Sequence, residues 1–293
     1  MQNMRNIGLA TGTLTDDEVE YIEQAIVTTM RPMLVGRTLM PTRALSNAGF
    51  KQYTHYTEQD MGQAIISMTG EPQSMDRVEL AEVNTKIPII SKDYNLHWRD
   101  VLMRRNTGQD LNTQHATNAA RQVAEEEDKL ILSGEYTGWP ALGIEGLMTA
   151  TGRNTTVGGD WSANMITYVA AAKAALRTDG YFGPYKLIVT SAWFAQMEAV
   201  YGNTDRYYFQ VVGDLIGGVD NIVISDNLFV ADGAQDGACL IDTSPGNFEL
   251  VVGQDATTYL AQLPNMNYQG KVWEAVVPVI KRPEAICEIT VLT

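Results

Sequence analysis

The chain has 293 residues, of which 45% are hydrophobic and 19% are charged, a composition typical of a globular protein with one large or two ordinary domains. A formal net charge of −14 argues against a dedicated nucleic-acid-binding protein, because such proteins carry a basic surface. The two cysteines, Cys239 and Cys287, exclude a disulfide framework and a structural zinc site. Residues 1–14 lack the apolar core of a signal peptide and no apolar run could span a bilayer. We therefore expect a soluble, cytoplasmic protein without a membrane partner.

The first predicted element is an amphipathic helix near the start of the chain. Thr15 and Glu18 form a capping-box pattern, and Pro32 and Gly36 limit the helix, which we end near Arg31. Such a helix needs an apolar surface to lie on. The residues at helical spacing on its apolar face include Val19, Ile22, Ile26 and Met30.

Two stretches between residues 40 and 85 have the patterns of strands. Residues 52–57 are rich in strand-forming residues, and residues 77–83 alternate with period two. Such strands suit an extended two-stranded arm better than a packed core, and an arm of this kind needs a partner. In a single chain the usual partner is another copy of itself. The candidate contact residues of the arm are Lys51, Tyr53, Tyr56, Val78, Leu80 and Val83.

Residues 86–100 are predicted to form a strand that carries Pro88, followed by a polar stretch. A long helix is then predicted from Gly108, with apolar and small residues close to one face and a stop at Gly134. At about 24 residues it would measure about 36 Å, enough to run the length of a domain.

The densest run of charge in the chain lies inside this helix, at residues 125–128. Carboxylates three positions apart share a helix face, as a site for a hard cation requires. We instead expect Glu125 and Asp128 to form a solvated, ion-paired face together with Arg121. Glu127 lies nearer the apolar stripe and is a candidate for a paired buried carboxylate.

The second half of the chain is predicted to be α+β, with several short strands and two helices. The helices are expected over residues 161–176 and directly after Ser191, which we take as the cap of the second one. The predicted strands are residues 185–190, 219–225, 238–242, 248–252, 256–262, 272–280 and 285–292.

The chain carries none of the catalytic or cofactor motifs that we searched for. Its glycine-rich loops match neither the phosphate loop nor the dinucleotide fingerprint, and no Gly-x-Ser-x-Gly motif is present. His55, His97 and His115 form no close pair. We predict a protein that is not an enzyme and binds no cofactor or metal, with an enzyme of unrecognised site as an alternative.

The stretch AARQVAEEEDKLILSG carries the strongest resemblance to a known family, since Ala124, Glu127 and Asp128 match its Ala-x-x-Glu-Asp pattern. Further matches are Leu34, Gly36, Arg37, Gly143–Met148 and Phe248–Asp255. In this order the segments resemble the encapsulins, nanocompartment shell proteins that share the tailed-phage major capsid fold of the Hong Kong 97 type. The resemblance covers about residues 15–292 and is poor over residues 45–85.

The resemblance implies an α+β fold of the Hong Kong 97 type, with a peripheral domain built on a long spine helix, an axial domain and an extended loop. The implied divisions are an N-terminal arm and helix at 1–42, the extended loop at 43–85, the peripheral domain with the spine helix at 86–135, the remainder of the peripheral domain with the axial domain at 136–270, and C-terminal strands returning to the peripheral domain at 271–293.

The resemblance also implies a function, a self-assembling icosahedral shell that encloses a cargo protein. The extended loop would reach over a neighbouring copy, and the N-terminal helix would lie on the inner face, where cargo peptides dock. The implied docking residues are Val19, Ile22, Ile26 and Met30, for which core packing is the alternative.

The alternative function is the major capsid protein of a tailed virus or prophage, which encloses double-stranded DNA and would be found in the virion. The segment GQDATTYLAQLPNMNYQGKVW is also similar to certain phage capsid proteins. We favour the nanocompartment shell because the first helix begins almost at once, which leaves no room for an N-terminal scaffolding segment.

Overall fold

A computed structural model describes residues 16–30, 35–46, 49–58, 66, 68, 80–107, 113–134, 142–228 and 237–291. The helices are α1 (Asp16–Met30), α2 (Trp98–Thr107), α3 (Gln114–Ser133), α4 (Trp161–Thr178), α5 (Ser191–Met197) and α6 (Tyr208–Ile216). The strands are β1 (Thr42–Ala44), β2 (Gln52–Glu58), β3 (Leu80–Lys86), β4 (Ile89–Leu96), β5 (Asn154–Gly158), β6 (Tyr185–Val189), β7 (Ile222–Ile224), β8 (Ala238–Asp242), β9 (Phe248–Gln262), β10 (Tyr268–Ile280) and β11 (Ile286–Val291).

The strands form two sheets and a separate ribbon. A four-stranded sheet has the order β1-β9-β10-β4, and a five-stranded mixed sheet has the order β5-β11-β8-β6-β7. In the four-stranded sheet, β10 pairs antiparallel with both β9 and β4, while the short β1 pairs parallel with β9. The ribbon consists of β2 and β3 alone, paired antiparallel from Gln52↔Lys86 to Glu58↔Leu80.

The helix α3 forms the core of the half of the molecule that contains the four-stranded sheet. Its first turns bury small residues such as Ala116, Ala120 and Ala124, which lets other elements approach closely. On this face α3 packs against α1, β4 and β10. The result is a layer of helices on one face of the four-stranded sheet.

The five-stranded sheet has its own helical cover. The helix α4 packs against β5, β8 and β11, and α5 and α6 pack against α4. The stacked rings of Trp161 and Trp193, whose centroids are 4.3 Å apart, lie in this layer. The central strand β8 is buried along its whole length, as expected for a strand covered on both faces.

The main predicted elements are present, with several differences. The helix α2 begins only at the end of the stretch that we predicted to be polar, and α2, α6, β1 and β5 were not predicted. The long helix is described from Gln114, and residues 108–112 lie outside the described part. The cap of α5 is Thr190, whose side chain accepts from the Trp193 N–H, and not Ser191.

Two of the predicted strands, 248–252 and 256–262, form the single strand β9. The C-terminal segment 271–293 contributes most of β10 to the four-stranded sheet and β11 to the five-stranded sheet. The division of the chain into peripheral and axial domains stays a prediction.

The cysteines lie on opposite faces of the five-stranded sheet. Cys239 is paired in register with Glu288, and Cys287 with Leu240, so the two thiols belong to different core clusters. Both are fully buried. A search of the described helices finds none that is long and apolar enough to cross a membrane.

Candidate functional site

The helix α1 turns its apolar row into the protein. Ile22, Ile26 and Met30 are 1–2% exposed and pack in one cluster with Ala116, Ala120 and Val123 of α3. Val19 is half-buried. Core packing thus occupies three of the four side chains that the sequence analysis named for cargo docking, and their docking role stays a prediction.

The opposite side of α1 faces solvent. Tyr21 and Val27 are 43% and 39% exposed, and the acidic residues Asp17, Glu20 and Glu23 are exposed beside them. The sequence of α1 contains no lysine or arginine. The outer face of α1 is therefore an acidic surface with two apolar contact points.

A cluster of charged residues, in which Glu127 and Glu274 are buried, fixes the segment after α1 to the spine helix α3. The Arg37 guanidinium donates to both carboxylate oxygens of Glu127, at 2.6 and 3.2 Å. It also donates to Glu274 of β10 at 3.2 Å and to Asp255 of β9 at 2.8 Å. We call these four residues the arginine clamp; it joins the N-terminal segment, α3, β9 and β10.

The two buried carboxyl groups of the clamp share one guanidinium. Burial raises the pKa of Glu274 to about 10, and the nearby charge of Glu127 adds to the effect while Arg37 opposes it. Burial also raises the pKa of Glu127, against the opposing effect of Arg37. The raised pKa keeps Glu274 protonated at neutral pH, because two like charges this close do not both ionise.

Asp128 holds the same segment through its backbone. Its carboxylate accepts from the N–H groups of Val35 and Gly36 at 3.1 and 2.9 Å. Burial raises the pKa of Asp128 to about 6, although these two hydrogen bonds favour the charged form. A Cβ on Gly36 would lie 2.7 Å from Ile131 Cδ1, so only glycine allows this close approach to α3.

The structure partly corrects the interpretation of the acidic run on α3. Glu127 is the paired buried carboxylate that we expected, and Glu125 pairs with Arg121 at 3.4 Å as expected. Asp128 was wrongly placed on the solvated face: it is 2% exposed. Among the described residues no group of His, Cys, Asp or Glu could hold a metal ion.

The ribbon of β2 and β3 has a side that faces the rest of the molecule. The Tyr53 hydroxyl donates to Glu249 Oε1 at 2.8 Å, and His55 is 7% exposed. Arg43 lies over the Tyr53 ring, 5.5 Å from its centroid. These contacts fix the base of the ribbon.

The other side of the ribbon exposes apolar side chains. Tyr56 and Leu80 are 57% and 59% exposed, and the pairing register puts both on the face opposite Tyr53. Val83, which is 38% exposed, pairs with His55 and so lies on the opposite face, towards the rest of the molecule, and Lys51 is exposed at the base. Val78 lies outside the described residues. An exposed apolar face on a two-stranded ribbon is typical of a surface that another molecule covers.

Sequence reasoning missed Glu274, Asp255 and Glu249, which lie far along the chain from their partners. The two motifs that it singled out, Gly36–Arg37 and Glu127–Asp128, turn out to contact each other in the clamp. A charged residue in an otherwise apolar strand, as Glu274 is in WEAVVPVI, was the available signal for a buried ion pair.

Solved structures with the same fold include a virus-like particle and a phage capsid. A virus-like particle from Pyrococcus furiosus matches with a TM-score of 0.66 and 16% identity, over 93% of this chain and 99% of that chain. The capsid of Myoviridae Phage XM1 matches with a TM-score of 0.62 and 9% identity, over 87% of this chain and 90% of that chain. The fold is the predicted α+β fold of the Hong Kong 97 type.

The family model described as encapsulating protein for peroxidase, Linocin_M18, matches residues 4–277. The chain belongs to this encapsulin family. The type 1 encapsulin shell protein EncA of Myxococcus xanthus is 29% identical to it over 97% of this chain and 96% of its own length. A diheme-cytochrome-encapsulin shell fusion protein of Kuenenia stuttgartiensis is 28% identical over 94% of this chain and 73% of its own length.

Family membership confirms the main functional prediction, an encapsulin shell protein, over the viral alternative. The likeness to phage capsids shows the fold that encapsulins share with them. The clamp, the outer face of α1 and the ribbon are therefore features of a shell subunit.

Proposed function

We propose that this encapsulin assembles in many copies into a closed icosahedral shell that encloses a cargo protein. Family membership over residues 4–277 carries the proposal. The ribbon supports it, because its outer face leaves Tyr56 and Leu80 uncovered in the single chain and a second copy is the usual partner for such a surface. In this proposal the ribbon is the extended loop.

The proposed domain division follows the two sheets. The peripheral domain comprises α1, α3 and the four-stranded sheet, and the axial domain comprises the five-stranded sheet with α4, α5 and α6. This differs from the division implied by the resemblance, because β11 goes to the axial domain and not to the peripheral domain with the rest of residues 271–293. The arginine clamp lies within the peripheral domain, where it joins the segment after α1 to the spine helix.

The proposed cargo-docking surface is the outer face of α1. Ile22, Ile26 and Met30 hold the helix in place, and Tyr21 and Val27 on the outer face offer apolar contacts. The exposed Asp17, Glu20 and Glu23 favour a cargo segment with positive charge, since complementary charges steer association. The same acidic face disfavours DNA, whose phosphates it would repel.

Electron microscopy of the purified protein tests the shell. We expect closed, uniform hollow particles whose absorbance spectrum is that of protein. Particles that contain DNA, or a monomer under every solution condition, would contradict the proposal.

Co-purification tests cargo docking. The family description names peroxidase, so a peroxidase encoded near the shell gene is the first cargo to co-express. Reversing the charge in Glu20→Lys with Glu23→Lys should reduce the cargo retained per shell at least several-fold. The control is Glu198→Lys, an exposed acid at the end of α5, which should retain the wild-type amount. If the wild type, the double variant and the control retain equal amounts of cargo per shell, α1 is not the docking site.

A further inference from the structure

The ribbon and the rest of the molecule enclose a cleft of ≈ 400 Å³. The ribbon side of the cleft includes His55 and Lys86, and the opposite side includes Glu145 and Lys281. The cleft lies at the base of the ribbon, beside the contact between Tyr53 and Glu249. A change in its charge would therefore act where the ribbon is attached.

His55 is a buried titratable side chain in this cleft. It is 7% exposed, and its ring stacks on Tyr53 with centroids 6.3 Å apart. Its Nδ1 is buried and has no hydrogen-bond partner among the described residues. A neutral imidazole tolerates this position, but a protonated one carries an N–H on both nitrogens and a charge, which costs free energy without an acceptor.

The groups around His55 do not offer that acceptor. The positive charge of Lys281 opposes protonation, and the negative charge of Glu249 favours it. Glu249 already accepts from the Tyr53 hydroxyl at 2.8 Å and from Lys281 at 3.0 Å, and Arg43 lies 3.8 Å from it. Lys86 and Glu145 complete the charged lining of the cleft, with one charge of each sign.

We propose that His55 is an acid-sensitive switch that releases the ribbon from the rest of the molecule. When the imidazole is protonated, a water molecule supplies the hydrogen-bond acceptor that its second N–H lacks. The ribbon moves outwards to admit that water. This inference goes beyond the proposed function, because it assigns to one side chain the control of the loop that would contact neighbouring copies.

The direction of the pH dependence follows from burial. Burial, assisted by Lys281, lowers the pKa of His55 from its ordinary 6.5. If the pKa of a group is lowered in the closed state, the group stabilises that state fully at any pH above its ordinary pKa. This stabilisation is lost as the pH falls below the ordinary pKa. The ribbon should therefore be closed at neutral pH and open in mild acid.

Hydrogen–deuterium exchange of the full-length protein tests the switch. Peptides covering residues 52–58 and 80–86 are followed at pH 7.5 and pH 5.5, with labelling times corrected for the intrinsic exchange rate. In the wild type we expect protection of these peptides to fall at least several-fold at pH 5.5. In His55→Gln, which does not titrate, protection should be the same at both pH values, and His55→Phe should agree with it.

Two further variants serve as controls for this switch. Asp128→Asn removes the carboxyl group whose pKa is about 6, and His97→Gln removes an exposed histidine. Both should keep the wild-type response of the ribbon. A ribbon that is equally protected at both pH values in the wild type, or equally released in both His55 variants, would overturn the proposal. Closed shells at pH 7.5 test the proposed function separately.

Discussion

The arginine clamp buries two carboxyl groups beside a single guanidinium group. Glu127 and Glu274 are both fully buried, and only Arg37 among the described residues pairs with them. An isolated buried charge costs several kcal/mol, so the pair is stable only while one of its carboxyl groups keeps a proton. The clamp should consequently respond to alkali.

Replacing Glu274 with glutamine tests this response. The pKa of Glu274 is raised to about 10, so its contribution to stability is full below its ordinary pKa and declines as the pH rises towards 10. Glutamine imitates the protonated form at every pH. Between pH 7 and pH 10 we expect the melting temperature of the particles to fall less steeply in Glu274→Gln than in the wild type.

Asp255→Asn is the matched control, since Asp255 contacts the same guanidinium from a side chain that is 71% exposed. It should keep the wild-type slope of melting temperature against pH. Identical slopes for the wild type and Glu274→Gln would mean that Glu274 is already ionised at neutral pH.

At the scale of the element, the clamp depends on how closely the segment after α1 approaches α3. Gly36 sits against Ile131 with no room for a side chain, and Asp128 receives the backbone N–H groups beside it. Gly36 with Arg37 on one segment, and Glu127 with Asp128 on α3, thus contribute to the same contact between the two segments. This contact anchors the segment that follows α1.

Gly36→Ala should weaken that contact. Its Cβ would lie within 3.0 Å of three Ile131 atoms, and overpacking of this kind typically costs about 1–3 kcal/mol. We expect a lower melting temperature and faster hydrogen exchange in α1. The control is Gly159→Ala, whose Cβ would meet only the Tyr168 hydroxyl at 3.7 Å. If the two variants melt alike, the close approach at Gly36 is not a determinant of stability.

Periodicity predicted α1 and α3 but missed α2 and α6, although α6 buries Val212 and Ile216. The helices α1 and α3 carry apolar rows at helical spacing, and both are present. The helix α2 exposes Leu102 and Met103 among polar residues, so it has no clear apolar row. The sequence predicted two strands in place of β9; pairing with β10 makes this strand continuous, with a bulge. Glu127 was predicted as a paired buried carboxylate, but its partners could not be predicted, because they come from distant segments.

At the scale of the whole molecule, the ribbon receives little support from the rest of its own chain. Its two strands pair with each other and with no other strand among the described residues. Its base is closed by the Ile87 N–H, which donates to the Lys51 carbonyl at 2.9 Å. The ribbon can therefore be removed at that point without cutting the rest of the fold.

Replacing residues 52–86 with a short Gly-Ser linker should abolish the shell and preserve the subunit. We expect light scattering after size-exclusion chromatography to show monomers or small oligomers, with circular dichroism close to that of the wild type. Particles of normal size would show that the ribbon is not needed for assembly.

A milder change tests the outer face of the same ribbon. The double variant Tyr56→Ser with Leu80→Ser should raise the protein concentration needed for assembly. Glu82→Gln is the control, because Glu82 is the cross-strand neighbour of Tyr56 on the same face and the side chain is polar before and after the change. This variant should assemble at the wild-type concentration.

The placement of the two cysteines has a practical consequence. Cys239 and Cys287 are the chain's only thiols, and burial raises the pKa of both, so neither reacts readily with maleimide reagents. A single cysteine introduced at Thr54, on the face of the ribbon that a neighbouring copy would cover in the shell, would be the sole reactive thiol of each unassembled subunit. Dyes, quenchers or immobilising resins attached there would give one defined attachment point per copy without prior removal of native residues.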